Sequence, residues 1–447
     1  MSTTETATLL VDDLTATAAR KIARRLLPFL FLLYITAFID RVNVGFAGLQ
    51  MTRELHFSNE VFGFGAGIFF FGYCLLEIPG AMLAETWSAR KWISTIMIGW
   101  GLLASLTGLI RSAAEFHIIR FLLGLAEGGF FPAVVVYLTH WFRQRDRAKA
   151  IALFMAAIPV SNAAGAPIAG FLLRLNWLGI SGWRWLLMLE GIPALLCGIF
   201  TLFYLTDRPR DARWLAPGER AWITAELERE SAEKKTHRGG HLNILQAFRQ
   251  PLVLALALSY FLINTSGYGL NIWLPKMVQT FHGLTTFQVS LVAAIPPAFG
   301  IPAMLLWGWH SDRTNERKWH AAFAAIAAGV GLALSQAAPN PGLIMAGFSI
   351  AVMGVMSYYP PYWVLPTRLL SDTTAAASFG FINLIANLGG FAGPYMVGFL
   401  TDRTGTYLAG VLLLVSTAIL SGLVLTVMPL DRNSRRLRPS YNQQVNG

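Results

Sequence analysis

Twelve apolar runs, each long enough to cross a lipid bilayer, constrain this chain more than any other feature. A spanning helix needs about 20 largely apolar residues. Runs of that kind occupy residues 27–48, 61–84, 92–111, 116–141, 148–173, 184–206, 252–280, 285–309, 319–337, 341–369, 374–401 and 406–428. Backbone polar groups in hydrocarbon must be satisfied within the segment, so runs of this length fold as helices. The prediction is an all-α integral membrane protein with 12 transmembrane helices. The composition fits: 55% of the 447 residues are hydrophobic and only 13% charged, with mean hydropathy +0.51. The first run carries charges and eleven more follow it, so it is not expected to be a cleaved leader.

A net charge of +11 would suit nucleic acid, but its distribution argues against that. If the N-terminus is cytoplasmic, 27 of the 35 Lys and Arg residues fall in cytoplasmic segments. This is the positive-inside pattern, with both termini in the cytoplasm. The basic residues are then expected to set orientation and meet anionic lipid. Cys74 and Cys197 lie in different runs and form neither a disulfide framework nor a metal spacing. The histidines are scattered, with His117 and His140 read as interfacial. No cofactor or metal is expected.

The longest polar interval, 207–251, divides the runs six and six. It separates a first bundle (27–206) from a second (252–428), between an N-terminal segment (1–26) and a tail (429–447). Pro217 to Lys235 can form a surface helix and Arg238–Gly240 reads as flexible, within what is mainly a solvated linker. The basic stretch Thr17–Leu27 is read as an anchor for the first span. The two halves echo one another. AMLAETWSARK from Ala81 aligns with GWHSDRTNERK from Gly308, placing Glu85 on Asp312, Arg90 on Arg317 and Lys91 on Lys318. GAPIAGFL from Gly165 echoes GPYMVGFL from Gly393. Duplicated parallel halves are a transporter architecture with the substrate site between them. The loops holding Glu85, Arg90, Lys91, Asp312, Arg313 and Arg317 are expected to act as a latch, their charges pairing across the mouth and separating as the halves rock.

Asp40 and Arg41 sit side by side within the first run, where each charge costs about 2.5–3.5 kcal/mol on insertion scales. At about 1.5 Å per residue, Asp40 lies roughly 20 Å into its run, while Arg120 and Glu127 lie roughly 6 and 16 Å below the far end of theirs. These depths overlap in a core of about 30 Å. Arg120 and Glu127, seven apart, share one helix face. Asp40 and Arg41 point about 100° apart and need separate partners. One reading is a pair of interhelical salt bridges that serves the fold, or an Arg120 that snorkels outward. The other is function, since intramembrane ionisable groups mark ion and substrate pathways. Arg41 and Arg120 suit a carboxylate ligand bidentately, and Asp40 and Glu127 can exchange protons as their surroundings change. The second half offers Asn264, Asn271, Asn383, Asn387 and the aromatic group Tyr358–Trp363 instead. Glu77, in LLEIPG, is read as structural or gating.

GWHSDRTNERK, with twelve spans and a central loop, resembles the major facilitator superfamily; the first-half loop is a degenerate copy. FIDRVNVGFA, RFLLGLAEGGFFP, WLP at 273–275 and YWVLPTRLLS at 362–371 resemble its anion:cation symporter branch, which includes bacterial permeases for tartrate, sugar acids, phthalate and 4-hydroxyphenylacetate. The resemblance implies proton-coupled uptake of a small organic anion across a bacterial inner membrane; a monomer is expected because each chain contains both halves of a site. It implies proton coupling at Asp40 and Glu127, anion binding at Arg41 and Arg120, and a cavity lined by Tyr73, Trp363 and Asn387. Sugar-acid transporters of the branch carry an amide near Ile158 or Pro159. Its loss here, with the aromatic group, points to a less hydroxylated carboxylate, and LFMAAIPV and HSDRTNERKWH resemble 4-hydroxyphenylacetate permeases; tartrate-type dicarboxylates stand close behind, since two arginines suit two carboxylates. A sugar-acid symporter, an efflux antiporter and an uncoupled exchanger are the alternatives.

Overall fold

A computed structural model describes residues 3–237, 250–369 and 372–428; the segment 238–249, including Arg238–Gly240, and the tail 429–447 lie outside the described residues. Among those described, the regular structure is helical throughout. The first half comprises α1 (Thr3–Glu54), α2 (Asn59–Leu83), α3 (Ala89–Thr107), α4 (Ala113–Gly128), α5 (Phe130–Thr139), α6 (Gln144–Met155), α7 (Ala157–Leu172) and α8 (Gly182–Tyr204). After α9 (Pro217–His237), the second half comprises α10 (Pro251–Gln279), α11 (Thr286–Ala293), α12 (Ile295–Thr314), α13 (Lys318–Ala337), α14 (Pro341–Leu369), α15 (Asp372–Thr404) and α16 (Leu408–Val427).

Among the described residues, ten helical stretches are long and apolar enough to cross a membrane. One of them, Asn59–Thr107, contains two of the sequence runs, and the run at 148–173 is divided between α6 and α7 at Ala156. The twelve predicted crossings therefore persist, with some boundaries moved. Between α2 and α3 the chain forms a π turn over Ala84–Ser88, and Ser88 is extended and accepts from the Lys91 N–H at 3.1 Å. The fourth span breaks at Gly129 and the eighth at Ala294, just before Pro296 and Pro297, which donate no backbone hydrogen bond. Large apolar side chains such as Leu305, Leu306, Phe203 and Val427 face outward, as a lipid-facing surface requires.

The halves meet mainly where α2 packs on α15, α1 on α10 and α7 on α11. A side chain at Gly63 would bring its Cβ to 2.4 Å from the Pro394 carbonyl oxygen, so glycine sets this approach. Nearby, Asp402 at the end of α15 accepts from both N–H groups of Asn59 (3.2 and 2.8 Å) and from the Glu60 N–H (2.7 Å). A carboxylate from one half thus caps the first turn of a helix in the other. These contacts draw the halves together on the face opposite the N-terminal segment.

The reading of 207–251 as a solvated linker needs correction over 207–237. Ala212, Leu215 and Ile223 are buried in one cluster with Ile22 and Leu26 of α1 and Trp141. Trp214 stacks on Trp141 at 5.4 Å, the Lys21 ammonium donates to Glu219 at 2.6 Å, and Glu230 accepts from the Gln144 N–H at the start of α6 at 3.0 Å. An apolar face with complementary charges at its rim holds α9 on the first half. The stretch 17–27 is accordingly packed on α9 as part of one 52-residue helix.

Candidate functional site

Helical rotation sends three successive polar groups of α1 to three different neighbours. Asp40, 3% exposed, accepts from the Trp100 indole N–H of α3 at 3.0 Å. Arg41 forms an ion pair with Glu127 of α4. Asn43 donates to Glu190 of α8. The Arg41 guanidinium also lies 4.9 Å from the Phe38 ring, 5.5 Å from Phe69 and 5.1 Å from Tyr73. An aromatic slot of this kind supports a cation through the ring faces while its edge stays free to donate.

Arg120 lies 4.9 Å over the other face of this region, the Phe69 ring, and is 3% exposed. It interacts electrostatically with both Asp40 and Glu127, yet it makes no side-chain ion pair among the described residues. Among the described residues its Nε has no hydrogen-bond partner, and neither has Arg41 Nε or Glu127 Oε2. The expected quartet is therefore brought together, but of its two possible salt bridges only Arg41–Glu127 is formed. A buried donor left unbonded is costly, so Arg120, with its Nε unbonded among the described residues, has a donor to offer a ligand. Its burial also excludes simple snorkelling.

Opposite this charged wall, Tyr260, Tyr359 and Trp363 converge. Tyr260 lies 6.0 Å from Tyr359 and 5.2 Å from Trp363, and Trp363 stacks on Phe379 at 5.8 Å. Tyr359 donates to Asn264 at 3.1 Å, and Asn264 donates to the Ala386 carbonyl at 3.1 Å. Tyr358 and Tyr362 are turned into the second-half core, bonded to Ser259 and to the Leu256 carbonyl. Asn383 and Asn387 are not free: both donate to the Glu77 carboxylate across the α2–α15 seam, Asn387 at 3.1 Å.

The latch residues pair differently from the expectation. Glu85 accepts from His140 at 2.8 Å and lies 3.6 Å from Arg208. Arg90 instead pairs with Asp207 at 3.6 Å, whose carboxylate also accepts the Arg90 backbone N–H at 2.9 Å. Lys91 lies 6.0 Å over Trp87. In the second half Arg317 pairs with Asp312 at 2.6 Å, and Arg313 covers Trp309 at 5.4 Å. Each pairing stays within its own half, because the turn at Ser88 and the left-handed Asn315 fold the loops back on themselves. His140, read as interfacial, is 7% exposed.

Two features escaped the sequence reading. Glu190 is a lone carboxylate in an apolar run, a signal identical in kind to Asp40. Trp100 carries no such signal, since an indole in an apolar run looks like any core residue.

The sequence profile of the Major Facilitator Superfamily matches residues 30–394. A protein of Agrobacterium vitis named as a candidate tartrate transporter is 42% identical over 418 residues, covering 93% of this chain and 96% of its own. A quinolone resistance transporter of Acinetobacter baumannii is 36% identical over 426 residues, covering 95% and 98%. Among solved structures, an inward-facing, unoccupied bacterial homologue of the human lysosomal transporter Spinster superposes with a TM-score of 0.71 at 19% identity, covering 91% of this chain and 95% of that one.

Proposed function

Because this chain belongs to the Major Facilitator Superfamily, we propose that it takes up a small organic anion together with protons, with a tartrate-type dicarboxylate as the foremost substrate class. The observation that carries this reading is Arg120, a buried guanidinium without an ion pair among the described residues, set beside an Arg41 that is held by a carboxylate able to take a proton. Guanidinium forks suit a carboxylate ligand, and the name of the Agrobacterium vitis relative points to a dicarboxylate.

Glu127 binds Arg41 while it is ionised. A proton arriving from outside neutralises Glu127 and frees Arg41 to join Arg120 on the anion. Asp40, fixed by Trp100, supplies the second exchangeable position close to Arg120. The loaded and neutralised site then reorients by rocking of the halves, and the higher internal pH draws the protons off. The face closed by Asp402 and Gly63 is assigned to the outside, and the termini and α9 to the cytoplasm of a bacterial inner membrane.

The test uses purified protein in liposomes enclosing a pH dye. Tartrate, phthalate, 4-hydroxyphenylacetate and a sugar acid are added in turn without an imposed gradient. Internal acidification with tartrate, lost in Arg41→Ala, is expected. Acidification with 4-hydroxyphenylacetate alone would move the assignment to aromatic monocarboxylates. Labelled anion entering without acidification would overturn proton coupling. The quinolone relative supports a second reading, drug efflux in exchange for protons; quinolone-driven proton release with all four anions silent would establish it.

A further inference from the structure

Glu77 is a carboxylate the scheme above does not use. It lies on α2, two thirds of the way along the span from the closed face, and is partly exposed. Both of its oxygens are taken by amides of the other half, one by Asn383 and one by Asn387. The charged and titratable groups that face it are few. Arg41 of α1 acts on it electrostatically; Tyr73 and Cys74 neighbour it on its own helix, and Tyr260 approaches from α10. No basic residue forms an ion pair with it among the described residues.

Two asparagine N–H donors on the second half, with Arg41 of the first half in electrostatic reach of the carboxylate they hold and Arg120 beside the Arg41–Glu127 pair, form the set that would hold an anion with carboxylates at both ends. In this conformation Glu77 occupies those donors in the manner of such a carboxylate. We infer that Glu77 is an internal stand-in for the distal carboxylate of a dicarboxylate substrate, and that it must take up a proton before that carboxylate can bind. The step balances simply. The Glu77 carboxylate gains a proton and loses its charge; the Asn383 and Asn387 amides transfer to the substrate oxygens; the proton returns to solution when the substrate dissociates and Glu77 recaptures the amides. A monocarboxylate has no distal charge and needs no such exchange. This inference rests on the anion-transport reading and replaces the structural or gating role expected for Glu77.

Tartrate binding to the full-length protein, measured by calorimetry from pH 5 to 8, tests it. In the wild type, affinity is expected to weaken with rising pH, by about tenfold per unit for each linked proton. Glu77→Gln keeps an acceptor for the asparagines and is expected to bind tartrate more tightly at high pH, with a slope shallower by one proton. An unchanged slope overturns the inference and leaves proton symport intact. Retention of the Glu77-dependent slope with no acidification in liposomes overturns symport and leaves this inference standing. Should the variant fold poorly, the wild type alone decides. Proton uptake on binding, measured in weakly buffered solution, is expected to be one greater for tartrate than for 4-hydroxyphenylacetate, and equal uptake overturns the proposal. Absence of tartrate binding overturns it as well.

Discussion

Glu190 and Asn43 illustrate how a carboxylate can be kept inside a bundle without a basic partner. The two side chains share one hydrogen bond, and the atoms left over, Asn43 Oδ1 and Glu190 Oε2, are buried and unpartnered. A proton on Glu190 allows it to donate to Asn43 and removes a charge from the interior, where an unpaired ion is disfavoured by several kcal/mol. Glu190→Gln reproduces that donor and is expected to leave thermal stability and the pH profile of uptake unchanged. Glu190→Ala leaves Asn43 unsatisfied, a loss of about 1–3 kcal/mol, read as a lowered unfolding temperature. A Gln variant that loses proton coupling would make Glu190 a carrier instead. Asp40 and Glu127 carry the opposite expectation. Asp40→Asn and Glu127→Gln should each abolish proton-driven accumulation while the protein remains folded, and unchanged accumulation in both would reduce the pair to structure.

At the scale of elements, α9 is the piece most sensitive to its surroundings. Its apolar contacts to α1 and Trp141 are framed by ions at the rim, and the Lys21 ammonium holds the Glu219 carboxyl below the usual glutamate range. A lowered native pKa means that the stabilisation is present above the unfolded value of about 4.3 and is lost as pH falls through the native one. Limited proteolysis within 212–237 is therefore expected to accelerate below about pH 4.3, and Lys21→Met should bring the same acceleration at neutral pH. Equal cleavage at pH 7 and pH 3.5 would show that the apolar face alone holds the helix. That residues 217–235 form a helix was legible before the fold was known, from Pro217 and the helical spacing of Glu and Lys. Its docking was not, because Trp214 and Ile223 reveal a buried face only when Trp141 and α1 are brought beside them.

For the whole molecule, the four buried or half-buried carboxylates Asp40, Glu77, Glu127 and Glu190 outnumber the two guanidiniums Arg41 and Arg120. Unless protons are held at these positions, that excess of carboxylates repels an entering anion, which is the physical basis of the proton coupling proposed above. Orientation follows from charge at the same scale. A fluorescent protein fused at the C-terminus is expected to fluoresce and an alkaline phosphatase fused there to be inactive; the reverse pair would invert the assigned topology. What the sequence by itself determined is whatever depends on local composition: the number of spans, the duplicated halves, and the depths at which Asp40, Arg41, Arg120 and Glu127 lie, because hydrophobic length and helical rise fix depth one helix at a time. Partner choice was decided only by the tertiary structure. Asp40 accepts from the Trp100 indole instead of forming an ion pair with Arg120, Glu77 claims Asn383 and Asn387, and Glu85 meets His140 rather than Arg90. The physical reason is that a pairing depends on the rotation and closeness of two helices, which are set by glycine contacts and side-chain packing distributed over the whole bundle.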